Sequence, residues 1–395
     1  MRESKTLRYI AAVLSTSIAS AQLEFKPPVI TGNVTSSALD EISGAFGLRS
    51  EGNEGKLITV HDSDADYMYV INGDGSLNSR INIVGDDWRD AEEVIGYTDS
   101  VTNTDYVILC EFGDNPASRD KKYLFRFEEP AITGADINIT DFTKIAYRLP
   151  ATPVLEKGTN RGDFEGAFAD PIDGKIYLFS KRMAVNHIYS LPIQDTYTGT
   201  QTLTFEGLMH SDVAQEFGGI ISPANCVAAA ISRNGNNALI KTYNKVYQFT
   251  RTEGRTWVDV LVNDAPTVDD NYVGLGAAPN REPQGESITF NYNDGGYFTV
   301  SEYRGYIQVP LFFYGVITSK VPNIISLNKA NNDIAIVVEN LPDEFIIEMS
   351  TDLNTWSVYT GLIEVTTINN IISTIVFEDT HYQTNKCFFR IGFTN

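Results

Sequence analysis

Glutamate recurs at one place in a repeated pattern, at the start of an apolar run. The segments from Glu165 (EGAFADPIDGKIYLFSK) and Glu286 (ESITFNYNDGGYFTVSE) both carry Asp-Gly eight and nine residues later, followed by a second apolar run. The segment from Cys226 (CVAAAISRNGNNALIKT) has Asn-Gly at the same spacing, and looser copies begin at Glu41 and Glu92. Carboxylates that converge raise one another's pKa, and oxygen ligands around a shared void are what Ca²⁺ or Mg²⁺ requires. The pattern therefore predicts an acidic site for a divalent cation if the fold brings the repeats together.

Each copy is typical of a β-hairpin, with an apolar strand, a tight Asn/Asp-Gly turn and a second apolar strand. A third and usually a fourth strand-like run follow. Five such units between about Ser37 and Gly315 predict a β-propeller in which each sheet is one blade. At about 56 residues each the units exceed a regular blade, so a six-bladed ring with one degenerate blade is an alternative. A pair of β-sandwiches whose hairpins are similar by chance is another.

The pattern changes after Lys320-Val321-Pro322. Residues 321–395 contain alternating apolar runs between polar turns and no hairpin of the blade type, which predicts a small β-sandwich of immunoglobulin or fibronectin type. The expected chain is therefore all-β, with a propeller over residues 22–320 and a C-terminal sandwich over residues 321–395.

The first 21 residues have the organisation of a secretory signal peptide. A basic start and a short apolar stretch from Tyr9 to Ile18 precede Ala19-Ser20-Ala21, which is typical of a cleavage site. An N-terminal membrane anchor or a buried helix is the alternative, although so short an apolar stretch does not span a bilayer. We therefore expect a secreted or cell-surface protein whose mature chain has no membrane span.

The composition excludes some partners and assigns no reaction. With 30 Lys+Arg against 51 Asp+Glu, the net charge is −21, whereas duplex DNA and anionic membranes need a cationic surface. Nucleic acid is therefore not an expected partner. The cysteines, Cys110, Cys226 and Cys387, are too few for a disulfide framework and are predicted to be buried free thiols. The chain contains no nucleophile motif and no zinc-like spacing of Cys and His.

The topology of a propeller selects the candidate side chains. The first strand of each blade lines the axis and the second runs antiparallel to it, so first-strand starts and second-strand ends meet at one mouth of the channel. The candidate cation ligands there are Glu41, Asp62, Glu92, Glu111, Asp114, Glu165, Glu286 and Glu302. The candidate ligand-binding side chains beside them are His61, Asn115, Lys181, Arg182 and Thr242.

A structural role is the alternative for these side chains. Glutamates at this position can accept backbone N–H bonds from the adjacent blade and close the ring without binding any ion. The basic pair Lys181-Arg182 can hold a phosphate or carboxylate, or it can pair with neighbouring glutamates, and the pairing is the favoured interpretation.

The order of the motifs resembles that of a known family. The segments DEISGAF…VHDSD, DWRDAEEVIGY, CEFGDNPASR, DFEGAFADPIDGKIYLFSKR, VAAAISRNGNNALIKTY and EPQGESITF…VSE, over residues 37–305, resemble secreted bacterial β-propellers of poorly defined function, distantly related to the esterase-like phytase propellers. The resemblance implies a secreted propeller with motif positions at Glu41, Asp62, Glu92, Glu111, Asp114, Asn115, Glu165, Lys181, Thr242, Glu286 and Glu302. The C-terminal EMSTDLNTWSVYTG and CFFRIGF resemble a module found at the C-termini of secreted bacterial proteins.

These observations predict a secreted or cell-surface binding module that recognises an extracellular ligand or surface partner, with Ca²⁺ or Mg²⁺ at its acidic channel mouth. One alternative is a metal-dependent, phytase-like phosphoesterase in which the acidic ring holds Ca²⁺ and Lys181 or Arg182 receives the phosphate. Another is a structural subunit of a surface or virion assembly.

Overall fold

The computed structural model describes residues 22–39, 41–61, 66–116, 118–151, 162–183, 185–213, 226–302 and 308–317, and the backbone of strands within 323–393. Helical elements of the described residues are the 3-10 turns Ser37–Leu39 and Ser211–Val213 and the helix α1 (Trp257–Asn263). The strands of the first part are, in chain order, β1 (Val29–Val34), β2 (Ile42–Gly47), β3 (Lys56–His61), β4 (Met68–Asn72), β5 (Leu77–Ile83), β6 (Ala91–Thr98), β7 (Asp105–Glu111), β8 (Lys122–Glu128), β9 (Ile137–Ile139), β10 (Thr143–Arg148), β11 (Phe164–Asp170), β12 (Lys175–Ser180), β13 (His187–Pro192), β14 (Gln201–Thr202), β15 (Thr204–Leu208), β16 (Ala228–Ile231), β17 (Asn237–Lys241), β18 (Val246–Thr250), β19 (Thr267–Val268), β20 (Thr289–Phe290), β21 (Gly296–Thr299) and β22 (Val309–Gly315).

These strands form five sheets in the described part of the chain, which we number as blades in chain order. From the axis outward they are β2-β3-β4-β5-β9, β6-β7-β8-β10-β14, β11-β12-β13-β15, β16-β17-β18-β19 and β20-β21-β22-β1. Each innermost strand contacts the innermost strand of the blades before and after it, and β20 contacts β2. The ring therefore closes with five blades, which confirms the predicted β-propeller in its five-bladed form.

Two features of the blades explain the unusual repeat length and the closure of the ring. Blades 1 and 2 each carry a fifth strand added in parallel, β9 against β5 and β14 against β10. In blade 5 the outermost strand is β1, which pairs antiparallel with β22 from Val29 opposite Phe313 to Val34 opposite Val309. The beginning and the end of the propeller thus share one sheet, so its hydrogen bonds hold the ring closed.

The inner strands approach one another closely where their side chains are absent. A Cβ atom on Gly44 of β2 would lie 2.5 Å from the Cα of Glu93 in β6, and one on Gly166 of β11 would lie 2.9 Å from the Sγ of Cys226. Cβ atoms do not approach other atoms so closely, so glycine at these positions lets adjacent blades pack around a narrow axis.

The hydrophobic core lies between the blades. Between blades 3 and 4, for example, Phe168 of β11 packs edge-on against Trp257 of α1 with ring centroids 5.5 Å apart, and both are buried. Cys110 and Cys226 are buried free thiols, as predicted, whereas Cys387 lies outside the described residues.

The C-terminal part forms two further antiparallel sheets. Its strands are β23 (Asn323–Ala330), β24 (Asp333–Glu339), β25 (Phe345–Ser350), β26 (Ser357–Val358), β27 (Ile363–Thr367), β28 (Ile372–Glu378) and β29 (Phe388–Phe393). One sheet has the order β23-β24-β28-β27 and the other β26-β25-β29. Two antiparallel sheets are what the predicted sandwich requires. The immunoglobulin-like type and the boundary at residues 320 and 321 stay predictions.

Most of the residues that bear on localisation are not among those that the structure describes. The predicted signal peptide, residues 1–21, is not among the described residues. Within the described parts of the chain, no helix has the length and apolar character needed to span a bilayer.

A buried ion pair joins the hairpin turn of blade 3 to blade 4. Arg251 Nη1 and Nη2 lie 2.5 and 2.9 Å from the Asp170 carboxylate oxygens. Asp170→Asn would leave the buried guanidinium without its counter-charge, so we expect the free energy of unfolding in urea to fall by about 3–5 kcal/mol. The control is Asp136→Asn, which breaks an exposed pair with Arg80 and should change stability little. Equal effects of the two substitutions would contradict this assignment.

Candidate functional site

The predicted meeting of first-strand starts and second-strand ends is visible in two blades. In blade 3 the Lys181 amide donates to the Asp163 carbonyl over 2.8 Å, just beyond the end of β12. In blade 5 the Glu302 amide donates to the Gln284 carbonyl over 2.9 Å in the corresponding place. The side chains near these positions therefore face the same end of the channel, which we call the mouth.

Three glutamates from three blades converge at the mouth. Glu92, Glu165 and Glu286 each offer a carboxylate oxygen, and these oxygens all lie within 4.8 Å of one another. Their side chains are buried, with exposed fractions of 3%, 2% and 3%. The arrangement is a compact set of oxygen donors of the type that binds hard cations.

An irregularity in strand pairing accounts for two members of this glutamate cluster. The pairing of the first and second strands skips Glu92 in blade 2 and Glu165 in blade 3, as expected for a β-bulge. A bulge redirects the side chain of the extra residue, because two residues of one strand then oppose one residue of the other. The bulges thus supply carboxylates to the mouth while the rest of each strand keeps its regular pairing.

Lys181 lies among these carboxylates. Its Nζ is 2.7 Å from Glu165 Oε1 and 3.0 Å from Glu286 Oε1, and the Tyr243 hydroxyl donates to the same oxygen of Glu286. Both Lys181 and Tyr243 are buried. The favoured interpretation of Lys181 as a partner of neighbouring glutamates is therefore confirmed.

Burial and the charge of Lys181 shift the pKa values of the three glutamates in different directions. Burial raises the pKa of Glu92 well above its usual range and raises that of Glu165 to about 8. Burial also acts to raise the pKa of Glu286, but Lys181, with hydrogen bonds from Glu302 and Tyr243, lowers it to about 2. At neutral pH, Glu286 is therefore ionised while Glu165 holds its proton, and burial disfavours the charged form of Glu92.

Burial alone would lower the pKa of Lys181, yet the nearby carboxylates of Glu165 and Glu286 raise it well above its usual range. Lys181 therefore stays charged. If all three glutamates of the cluster ionise, their three negative charges against one lysine leave two, which is the charge that one divalent cation neutralises.

One oxygen of the cluster has no hydrogen-bond partner among the described residues. Glu165 Oε2 is buried and unbonded, although Oε1 of the same carboxylate contacts Lys181. A buried polar atom without a partner costs free energy, so native structures supply a proton donor, a water or an ion. The cluster is thus a set of candidate ligands in which one buried oxygen lacks a hydrogen-bond partner among the described residues.

The mouth ends in a closed recess. Glu93 of β6 accepts a hydrogen bond from the Ala229 amide across the axis over 3.4 Å, and it also bonds the backbone of Ala45. Burial raises the pKa of Glu93 well above its usual range, so the site disfavours its charged form. Below it, the channel cavity has a volume of only about 20 Å³. The described inner strands therefore leave no continuous open channel along the axis.

The remaining predicted residues lie beside the cluster and not within it. Glu302 bonds Glu286. Glu111 accepts from Arg119 and is buried, and burial raises its pKa. Asp114 Oδ2 lies 3.2 Å from Lys122 Nζ in another buried pair.

The other predicted ligand-binding residues are occupied in neighbouring structure. Arg182 Nε lies 2.5 Å from Asp163 Oδ2, and a second guanidinium nitrogen donates to the Asn115 side chain. Thr242 Oγ1 accepts from the Lys245 amide over 3.0 Å in a tight turn. His61 is buried at the end of β3. Asp62 lies outside the described residues.

The strand register differs from the sequence match in two blades. In blade 1 the residue skipped in the pairing is Ser43, so Ser43 and not Glu41 corresponds to Glu92 and Glu165. Glu41 lies two residues earlier and is half-buried. Its role as a ligand stays a prediction. The shared Gly-Ala-Phe that follows both Ser43 and Glu165 is the signal that gives the correct register.

In blade 4 the pairing counted from the turn places Val227, and not Cys226, at the position of Glu165. Blade 4 therefore contributes an apolar residue at this register, which explains why the cluster contains glutamates from only three blades.

Several side chains of the site were not predicted from the sequence. Ser43 is fully buried, and its hydroxyl has no hydrogen-bond partner among the described residues. Tyr243 has no motif that marks it. Glu93 could have been found from the adjacent pair of glutamates in a strand that otherwise lies in the core.

Comparison with known proteins adds no assignment. The chain matches no protein-family profile and no curated protein. Among solved structures it is similar to a chain of a nidogen/laminin complex, with 9% identity, a TM-score of 0.33 and coverage of 66% of this chain and 76% of the other. It is also similar to a chain of hydrazine synthase from Kuenenia stuttgartiensis, with 9% identity, a TM-score of 0.33 and coverage of 67% and 69%. Neither likeness carries an argument about function.

The raised pKa of Glu165 predicts a pH dependence of stability. The folded chain holds this proton up to about pH 8, whereas an unfolded chain releases it near 4.5. The stabilisation is complete below the unfolded value and is lost as the pH rises through the folded value. In the presence of a chelator, Tm should fall as the pH rises from about 5 to about 9.

The substitution Glu165→Gln tests the origin of that slope. Glutamine stays neutral, so the dependence of Tm on pH should become shallower, measured by thermal melts across the same range. The exposed Glu253→Gln is the matched control and should keep the wild-type slope. An unchanged slope in Glu165→Gln would mean that Glu165 is not the titrating group.

Proposed function

We propose that this chain is an exported β-propeller that acts as a binding module, with a divalent cation, Ca²⁺ or Mg²⁺, held at the mouth by Glu92, Glu165 and Glu286. The observation that carries the proposal is the unbonded Glu165 Oε2 within a buried cluster of three carboxylates. Export is supported by the signal-peptide pattern of residues 1–21. An extracellular ligand or surface partner would then be recognised at the propeller surface.

Charge balance supports the divalent cation. Lys181 already neutralises one of the three glutamates, so a monovalent ion would leave a buried negative charge and a dication would leave none. Carboxylate oxygens are also the ligands that Ca²⁺ and Mg²⁺ prefer. In the absence of the ion, Glu165 holds a proton and burial disfavours a charge on Glu92, so cation and proton compete for the same oxygens.

The pairing of the basic residues favours a binding module over the phosphoesterase alternative. A phosphoesterase needs a cationic side chain for the phosphate, but Lys181 is held by two glutamates and Arg182 by Asp163 and Asn115. We therefore expect the calcium-loaded protein to show no turnover of phosphomonoesters. Turnover that disappears in Glu165→Gln would instead support the hydrolase.

Calorimetric titration with CaCl₂ and MgCl₂ tests the cation site. At about pH 8.5, where Glu165 is largely ionised, one cation should bind per chain and raise Tm, and at about pH 6 binding should be weaker because protons compete. Glu92→Gln and Glu165→Gln should each weaken binding by about tenfold or more, since each removes a charged ligand. The control Glu253→Gln should bind as the wild type does. The absence of both binding heat and a Tm shift at pH 8.5 would overturn the proposal.

A further inference from the structure

The N-terminal segment, residues 22–26, is bonded to the propeller from its second residue onward. The Gln248 side chain of blade 4, in the amide orientation that its partners require, accepts from the Leu23 amide and donates to the Leu23 carbonyl, each over 2.7 Å. The Lys26 amide donates to the carbonyl of Gly315, the last residue of β22, over 2.8 Å. The segment therefore contacts both blade 4 and the sheet in which the beginning and the end of the propeller meet.

The middle of this segment packs into the core. Phe25 is 4% exposed, and its ring packs edge-on against Tyr297 of β21 with ring centroids 4.7 Å apart. Its carbonyl accepts a hydrogen bond from Asn271 Nδ2 over 2.7 Å, and Phe25 forms an antiparallel bridge with Val316. Residues 23–26 thus belong to the closure of the ring, and their removal would weaken it.

Gln22 differs from the residues that follow it. Its side chain is exposed and forms no hydrogen bond with the other described residues. Cleavage after Ala21, which the signal-peptide pattern predicts, makes Gln22 the first residue of the mature chain. The new α-amine and the side-chain amide then belong to one exposed residue, beside a Leu23 backbone that is held by Gln248.

An N-terminal glutamine contains both groups of a cyclisation that needs no second reactant. The neutral α-amine attacks Cδ of the side-chain amide, an N–Cδ bond forms, and the Cδ–Nε2 bond breaks. Nε2 leaves as ammonia with a proton from the amine, and no atom is oxidised or reduced. The product is a five-membered lactam, pyroglutamate. Because the two groups belong to one residue, the reaction has the advantage of an intramolecular step.

We propose that Gln22 is a modification site, at which the mature chain begins with pyroglutamate and is thereby protected from aminopeptidases. The inference rests on the proposed export, since cleavage after Ala21 is what creates the N-terminal glutamine. The lactam has no α-ammonium group, which is the group that an aminopeptidase recognises. The ring forms at an exposed residue, so it leaves the hydrogen bonds of Leu23 with Gln248 in place.

Mass spectrometry of the secreted protein tests this proposal. The full chain is expressed with residues 1–21 in a secreting host, and its intact mass is measured before digestion so that cyclisation during handling does not contribute. The mass should be that of a chain beginning at residue 22 and lighter by one ammonia. A chain that begins at Gln22 with a free amine, or that is cleaved elsewhere, overturns this inference and leaves the proposed export intact. A chain that keeps residues 1–21 and is not exported overturns both.

The substitution Gln22→Asn is the matched control. Asparagine keeps the amide but has one methylene fewer, so closure onto the α-amine would need a strained four-membered ring and the N-terminus should stay free. Residue 22 is exposed, so Tm should be unchanged. With a broad-specificity aminopeptidase, Gln22→Asn should lose at least its first residue while the wild type keeps its mass. Equal behaviour of the two proteins, whether trimmed or intact, would contradict the protective role.

Discussion

The position of the Lys181 ammonium between Glu165 and Glu286 is the interaction on which the mouth of the propeller depends. Three carboxylates in a buried recess cannot all be charged without compensation. Lys181 stabilises the charge of Glu286, a proton on Glu165 removes a second charge, and burial disfavours a charge on Glu92. In the proposed cation-bound state a dication would compensate the carboxylates instead, so the charge network and the proposed cation site use the same residues.

The glutamate cluster forms where the strand pairing of the blades departs from a regular ladder. A propeller repeats one strand register around the axis, so any residue type placed at that register recurs at the mouth. Bulges at Glu92 and Glu165 turn these side chains inward, while blade 1 offers Ser43 and blade 4 offers Val227. The ring of carboxylates is therefore incomplete, and Glu93 closes the space beneath it. The described inner strands therefore leave little open space along the axis beneath the mouth.

The sequence predicts the blades because the hairpin turn is local. Asp-Gly and Asn-Gly at a fixed distance from an apolar strand start mark the hairpins of blades 3, 4 and 5 without any knowledge of tertiary contacts. It also predicts the pairing of Lys181 with glutamates, since a basic residue in an acidic ring has few other partners.

Register and contacts across the axis were harder to predict. Aligning on glutamate matched Glu41 with Glu165, although the bulged position of blade 1 is Ser43, two residues further along the chain. Tyr243 and Ala229 reach the glutamates only through ring closure, so no spacing along the chain encodes their contacts. The most direct measurement is a pH titration of ¹³C-labelled glutamate carboxyls by NMR in metal-free protein, with Glu165→Gln and Glu286→Gln to assign the signals. The account predicts that Glu165 titrates near 8 and that Glu286 stays ionised down to about pH 2. Titration of both carboxyls near 4.5, as for exposed glutamates, would contradict it.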